Sequence, residues 1–208
     1  MDAKTKEKDF TQGSLTGISA KIKDDDYKRL IPKERFTSEE WLQKEYELLW
    51  SRVWQWACRE EEIPNNGDFY EYKIGDESIV IVRSEAGNLN AFHNVCMHRG
   101  VRLVEGENWW GGRGTLNNFR DMFKGKLRCV YHGWAWDLDG EICHLPGAKD
   151  FAPERIEKHE ICLRPVRCET WEGFVFINMD MDAEPLLEYL EPGPEKLAKY
   201  KISEMRLK

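Results

Sequence analysis

The sequence predicts a mainly β protein with flanking helices: a small antiparallel β domain with two metal-binding loops, preceded by an amphipathic helix. Three observations predict it. From residue 69 onward apolar residues recur at every second position in short runs separated by Gly-containing turns, the mark of half-buried strands. Before that, apolar residues at 41–54 recur at a period close to 3.6. Two short Cys/His pairs, Cys96-Met97-His98 and Cys129-Val130-Tyr131-His132, each follow a predicted strand.

Size and composition narrow the function classes. The chain of 208 residues has room for one large domain, or for a domain plus part of another. A hydrophobic share of 41% with nine Trp supplies a core, so bound metal is not the only stabiliser expected. A net charge of −7 argues against nucleic acid and against an anionic membrane surface as partners. No apolar run approaches the length of a membrane span, and residues 1–13 are charged and lack the apolar centre of a signal peptide. Six Cys in such a chain read as ligands and free thiols rather than a disulfide framework, and the expected compartment is the cytoplasm.

Taken in order, residues 1–36 are polar and charged and read as an N-terminal arm. In Thr37-Ser38-Glu39-Glu40, Thr37 can cap a helix and Glu40 can close a capping box. The helix it would start carries Trp41, Leu42, Tyr46, Leu49, Trp50, Val53 and Trp54 as a core-facing stripe and ends before Pro64. Residues 69–74 and 78–83 read as a hairpin around Gly75-Asp76, and a further turn leads into a strand over 89–95. A short strand at 127–130 enters the second Cys/His loop. Residues 133–138 and 141–145 pair across Asp139-Gly140, and 166–171 with 174–177 pair around Glu172-Gly173. Beyond residue 178 the texture changes to short helical segments at 185–190 and 194–200.

The chemistry lies in Cys96-Met97-His98-Arg99-Gly100 and Cys129-Val130-Tyr131-His132-Gly133-Trp134. Two thiolates and two imidazoles suit either one tetrahedral zinc or the two irons of a Rieske 2Fe–2S cluster, in which both sulfurs bind one iron and both imidazoles the other. The spacing favours the cluster. Paired zinc ligands usually have two to four residues between them, and only one lies between Cys96 and His98. A loop that offers a thiolate and then an imidazole gives one ligand to each iron, and the second loop repeats it. Gly100 and Gly133 follow the pairs where the backbone must turn or approach the cluster.

These motifs, with supporting pattern over residues 31–178, resemble the Rieske domain of ring-hydroxylating, non-haem iron oxygenases, in the large (alpha) subunit. The resemblance implies a Rieske-type β domain over 37–178, with 179–208 as the start of a catalytic domain. It implies a 2Fe–2S cluster on Cys96, His98, Cys129 and His132, fed by an NAD(P)H-dependent reductase with or without a ferredoxin. It further implies a homo-trimer or hetero-oligomer, and a mononuclear Fe(II), expected only in the missing catalytic domain, that hydroxylates an aromatic or other organic substrate. Respiratory Rieske proteins carry an extra Cys in each loop; here Val101 follows Gly100 and Val130 follows Cys129. With fewer donors to the sulfurs, the expected potential lies at the low end of the Rieske range, roughly −150 mV.

Other candidates read as structural. None of the five His forms the two-His, one-carboxylate triad that oxygen activation requires, so no catalytic residue is assigned. His93 is expected to be structural, Cys143-His144 lacks a second pair, Cys58, Cys162 and Cys168 are free thiols, and His159 lies among surface charges. The gap of 30 residues between His98 and Cys129 exceeds the family's usual one. Its excess, about 105–124 with Trp109, Trp110, Arg113 and Arg120, reads as a surface loop or as a docking element beside the cluster. Two rival functions are a stand-alone Rieske electron carrier and a structural zinc module.

Overall fold

The computed structural model describes residues 31–108, 111–116, 125–148 and 157–206, and the chain divides into two compact units, residues 1–43 and 44–208. In the first unit, α1 (Glu34–Thr37) is followed by α2 (Glu39–Glu45), which crosses into the second; neither buries a residue. The Arg35 guanidinium lies over the Trp41 ring, 4.8 Å from its centroid.

The long helix expected over 37–63 is broken up. Thr37 ends a helix instead of starting one: its hydroxyl donates back to the Lys33 carbonyl at 3.4 Å, and Ser38 is extended. A π-helical turn, Tyr46–Trp50, follows α2, and the chain then enters β1 (Gln55–Arg59). The apolar spacing Trp54, Cys58 fits a helix face as well as a strand. Trp56, 55% exposed between buried Trp54 and Cys58, interrupts the alternation of period two where the strand's pairing register shifts between Trp56 and Cys58. Pairing of β1 with the strand Phe174–Asn178 overrides the local helical preference.

The remaining strands, β5 apart, follow the sequence pattern closely. They are β2 (Asp68–Ile74), β3 (Glu77–Arg83), β4 (Leu89–His93), β5 (Gly111–Thr115), β6 (Leu127–Arg128), β7 (Ala135–Trp136), β8 (Ile142–His144), β9 (Pro165–Trp171) and β10 (Phe174–Asn178). Seven form one antiparallel sheet in the order β1-β10-β9-β4-β3-β2-β5, and β6-β7-β8 form a second. Strand β3 is central to the packing, with Ile79, Val80, Ile81 and Val82 all fully buried. Val80 and Val82 enter a core shared with Phe92, Leu127, Trp136 and the two loop cysteines. Ile79 and Ile81 enter a second core with Cys58, Ile63, Val175 and Ile177. Each such side chain contributes about 1.5–3 kcal/mol of burial.

Strand β5 is the element the sequence conceals. It lies within the extra segment after His98 and extends the sheet by pairing with β2, from Asp68↔Thr115 to Tyr72↔Gly111. Gly-Gly-Arg-Gly-Thr has little strand propensity. The glycines are there for contact: a Cβ on Gly114 would come within 2.3 Å of the Phe69 ring. Trp109, Trp110 and Arg120 lie outside the described residues, whereas Arg113 on β5 pairs with Glu107 at 3.3 Å.

The segment after β10 carries α3 (Leu186–Tyr189) and α4 (Gly193–Leu197), as its sequence suggests. Leu186 is fully buried, and its amide donates to Glu169 on β9 at 3.0 Å. The Trp54 indole donates to the Glu184 carbonyl at 2.9 Å, and Arg59 to the Met205 carbonyl at 2.9 Å. Among the described residues, no helix is long and apolar enough to cross a membrane.

Candidate metal centre

Each of the two Cys/His loops joins a strand end to the next segment of core. The first leaves β4 through Asn94 and Val95; the second spans the two-residue strands β6 and β7. Their backbones follow one pattern. The Cys96 amide donates to the Val101 carbonyl at 2.8 Å, and the Gly100 amide to the Cys96 carbonyl at 2.9 Å. In the second loop Cys129 donates to Trp134 at 2.8 Å and Gly133 to Cys129 at 3.1 Å. Both loops thus close between the Cys and the fifth residue after it. Both also turn on a left-handed Gly, at φ 70° for Gly100 and 78° for Gly133. The unequal spacing of the two pairs is only the position of His within this shared frame: third residue in one loop, fourth in the other.

That frame sorts the side chains by depth. Cys96 and Cys129 are 3% and 1% exposed, inside the core that includes Val80, Val82 and Trp136. His98 and His132 are exposed, their ring centroids 4.7 Å apart with the planes at 61°. Burial pushes the Cys96 thiol above its ordinary value, and a hydrogen bond with the Cys129 thiol adds to the rise. The backbone N–H groups of His98 and Arg99 act the other way, by favouring a thiolate. His98 is held below the ordinary imidazole value, first by the solvent it loses and then by His132 and Arg99. The His98 shift suits metal binding, which takes neutral imidazole; the Cys96 shift opposes it, because binding takes thiolate, so a bound metal must displace the proton that burial favours.

Two aromatic contacts escaped the sequence reading. Trp134 of the second loop stacks on His98 of the first, with centroids 4.8 Å apart and planes within 7°, which ties the loops together. Tyr131 lies against His132 at 3.8 Å. Their only sequence signal is aromatic residues flanking a ligand motif, which reads equally well as core. A third, polar arrangement centred on Glu71 and Asn94 was also missed. Its signal is a Glu in phase with the core residue Phe69 on β2.

The other candidates fall away from this centre. His93 is on β4, 3.3 Å from Glu77, and His159 is exposed, 3.2 Å from Glu157. Cys143 and His144 lie on β8, where the Cys143 thiol contacts the Ala135 carbonyl at 3.3 Å. Cys58, Cys162 and Cys168 are free thiols. Among the described residues no three His, Cys, Asp or Glu side chains converge as the ligands of a single ion. The donor set is instead two pairs at two depths, the arrangement that a cluster of two irons fits.

Comparison with known proteins decides the family. The Rieske [2Fe–2S] domain model matches residues 53–160, more than half of the chain. The chain belongs to the Rieske [2Fe–2S] family. This Rieske domain is similar to the carnitine monooxygenase oxygenase subunit of Escherichia coli (strain K12), 35% identical over 163 residues, covering 78% of this chain and 39% of that protein. It is also similar to the anthranilate 1,2-dioxygenase large subunit of Acinetobacter baylyi (strain ATCC 33305 / BD413 / ADP1), 32% identical over 158 residues, 76% of this chain and 31% of that one. Among solved structures, a quaternary ammonium Rieske monooxygenase in complex with gamma-butyrobetaine gives a TM-score of 0.73 at 29% identity, covering 86% of this chain and 47% of that chain. A naphthalene 1,2-dioxygenase gives 0.64 at 31% identity, over 76% and 33%. The chain spans less than half the length of each of these relatives.

Proposed function

We propose that this Rieske domain is the electron-transfer part of an oxygenase large (alpha) subunit. In this reading Cys96 and Cys129 bind one iron of a 2Fe–2S cluster, and His98 and His132 bind the other. The observation that carries it is the pair of buried thiols beneath a pair of exposed imidazoles, on two loops with one backbone pattern. When bound, the cluster supplies one-electron redox chemistry. The cysteines hold it where water is excluded, and the imidazoles place its outer edge at the surface, where electrons enter and leave. The second ring nitrogen of each His is left to hydrogen-bond outward, towards a partner.

The donor is an NAD(P)H-dependent reductase, with or without a ferredoxin between them. The acceptor is a mononuclear non-haem iron in a catalytic domain to which residues 179–208 lead. The whole subunit would hydroxylate an organic substrate, an aromatic ring in the reading that the resemblance implies, and would assemble as a homo-trimer or hetero-oligomer in the cytoplasm. The similarity to subunits named for carnitine, anthranilate and naphthalene oxygenation supports the reaction class.

The test is metal and acid-labile sulfide analysis of the anaerobically purified chain, with EPR before and after dithionite. About two irons and two sulfides per chain are expected, silent when oxidised and rhombic when reduced. Cys129→Ser and His132→Ala should each lose that signal. Zinc without sulfide, and no signal on reduction, would leave a structural metal domain.

A further inference from the structure

Strand β2 carries a carboxylate that no element of the electron path uses. Glu71 is 0% exposed, in phase with the core residue Phe69, and faces the root of the first cluster loop. Its Oε1 accepts from the Ser78 hydroxyl at 2.8 Å and more distantly from the Asn94 amide at 3.4 Å. Its Oε2 accepts from the Gly106 backbone amide at 2.8 Å. Asn94 is itself 3% exposed and completes a clasp. Its side-chain oxygen accepts from the Leu103 and Val104 amides, both at 3.1 Å, and its nitrogen donates to the Val104 carbonyl at 2.8 Å. Asn94 also donates to Ser78 at 3.0 Å, so one network joins β2, β3 and both ends of the loop.

The loop held in this way, from Asn94 to Val104, contains Cys96 and His98. Its inner closure, the Cys96 amide on the Val101 carbonyl, lies inside the outer closure made by Asn94. In the second loop Trp134 stacks on His98 of the first. Two cations balance Glu71, Lys73 at 3.4 Å and Arg102 at 3.6 Å, but these are 21% and 45% exposed. Both cations reach solvent, whereas the carboxylate does not, so water screens their charge more than that of Glu71, whose own contribution at the loop is negative.

We infer that Glu71 and Asn94 are positioning residues for the cluster: the buried network fixes the first ligand loop, and its carboxylate holds the bound centre at a lower reduction potential. The inference rests on the cluster assignment proposed above. A buried Glu with only a structural task would be replaceable by any group that fills its space. One that also acts on the centre must change its electronic properties when the charge is removed.

The experiment compares Glu71→Gln, Ser78→Ala and Ile177→Ala with wild type, in the full chain reconstituted with iron and sulfide. Thermal unfolding, iron and sulfide content, the midpoint potential and the EPR g-values are read for each. Ser78→Ala is the mild cut in the network, which keeps the test alive if Glu71→Gln does not fold. Ile177→Ala removes core on the other side of β3 and reports on destabilisation without loop displacement. The expected result is an upward shift of the midpoint potential in Glu71→Gln and altered g-values in both network variants, against unchanged values in Ile177→Ala. A wild-type potential and spectrum in both network variants, with only the loss of thermal stability seen in Ile177→Ala, overturns the inference and leaves the cluster assignment standing. A wild-type chain that takes up no iron and sulfide overturns both.

Discussion

At the scale of single residues, the chain separates cysteines by depth and by neighbours. Cys96 and Cys129 are buried beside each other, with the backbone N–H groups of His98 and Arg99 next to Cys96. Cys58 is equally buried but lies among apolar groups, 2% exposed, with Ile63, Ile79 and Val175 around it. Its thiol is held above the ordinary thiol range, first by burial, then by the charges of Glu62 and the neighbouring Cys168. The fold therefore favours the protonated thiol. Stability from this group is complete below the unfolded-state value of 9.0 and is lost as pH rises through and beyond it. Tyr70 and Tyr72 are shifted in the same direction by burial and steepen the decline. In urea titrations between pH 8.5 and 10.5, wild-type stability should fall, and Cys58→Ala should flatten the slope by up to about 1.4 kcal/mol per pH unit. Equal slopes in the two proteins would show that Cys58 ionises freely in the fold.

At the scale of elements, β3 divides the molecule's work between its two faces. Alternate residues of one strand enter different cores, so neighbouring truncations should have different consequences. Ile81→Ala opens a cavity in the core away from the cluster loops and should cost about 2–5 kcal/mol in urea unfolding while iron content stays at two per chain. Val82→Ala removes less volume, yet it faces the core that contains Cys96, Cys129 and Trp134. It should lower iron occupancy or broaden the EPR signal at a smaller cost in stability; intact iron and a sharp signal would show that this core does not support the loops. The same alternation explains which strands the sequence disclosed. β2, β3, β4, β9 and β10 show period two with turn residues between them, and their bounds were legible to within a residue or two. β1 was hidden because Trp54 and Cys58 satisfy a helical spacing as well. β5 was hidden because its three glycines, of which Gly114 packs on Phe69 and Gly111 on the β2 backbone, carry no propensity to read.

At the scale of the whole molecule, the residues of the candidate centre stand out in the sequence and those that support it do not. Cys96, His98, Cys129 and His132 stand out because few backbone frames need those residue types at such short spacing. Glu71, Asn94 and Trp134 are common residues whose roles exist only once β2, β3 and the two loops are brought together. The same division governs what metal contributes to stability. The second core, from Ile63 to Ile177, contains no residue of either cluster loop, and β3 is hydrogen-bonded along both edges, to β2 and to β4. The first core does draw on the loops through Cys96, Cys129 and Trp134. Removal of iron should therefore leave the seven-stranded sheet folded, with its far-UV circular dichroism retained and a single cooperative unfolding transition at lower temperature. Amide exchange should become fast at 96–101 and 129–134 and stay slow in β3. The Glu71–Asn94 clasp sets an order between the loops, since it ties 94–106 to β2 and β3 without metal, in addition to the backbone closure that both loops share. Exchange after iron removal should thus rise more in 129–134 than in 96–101. Equal acceleration of both loops would show that the clasp does not hold without the cluster, and loss of protection in β3 would show that the sheet itself depends on metal.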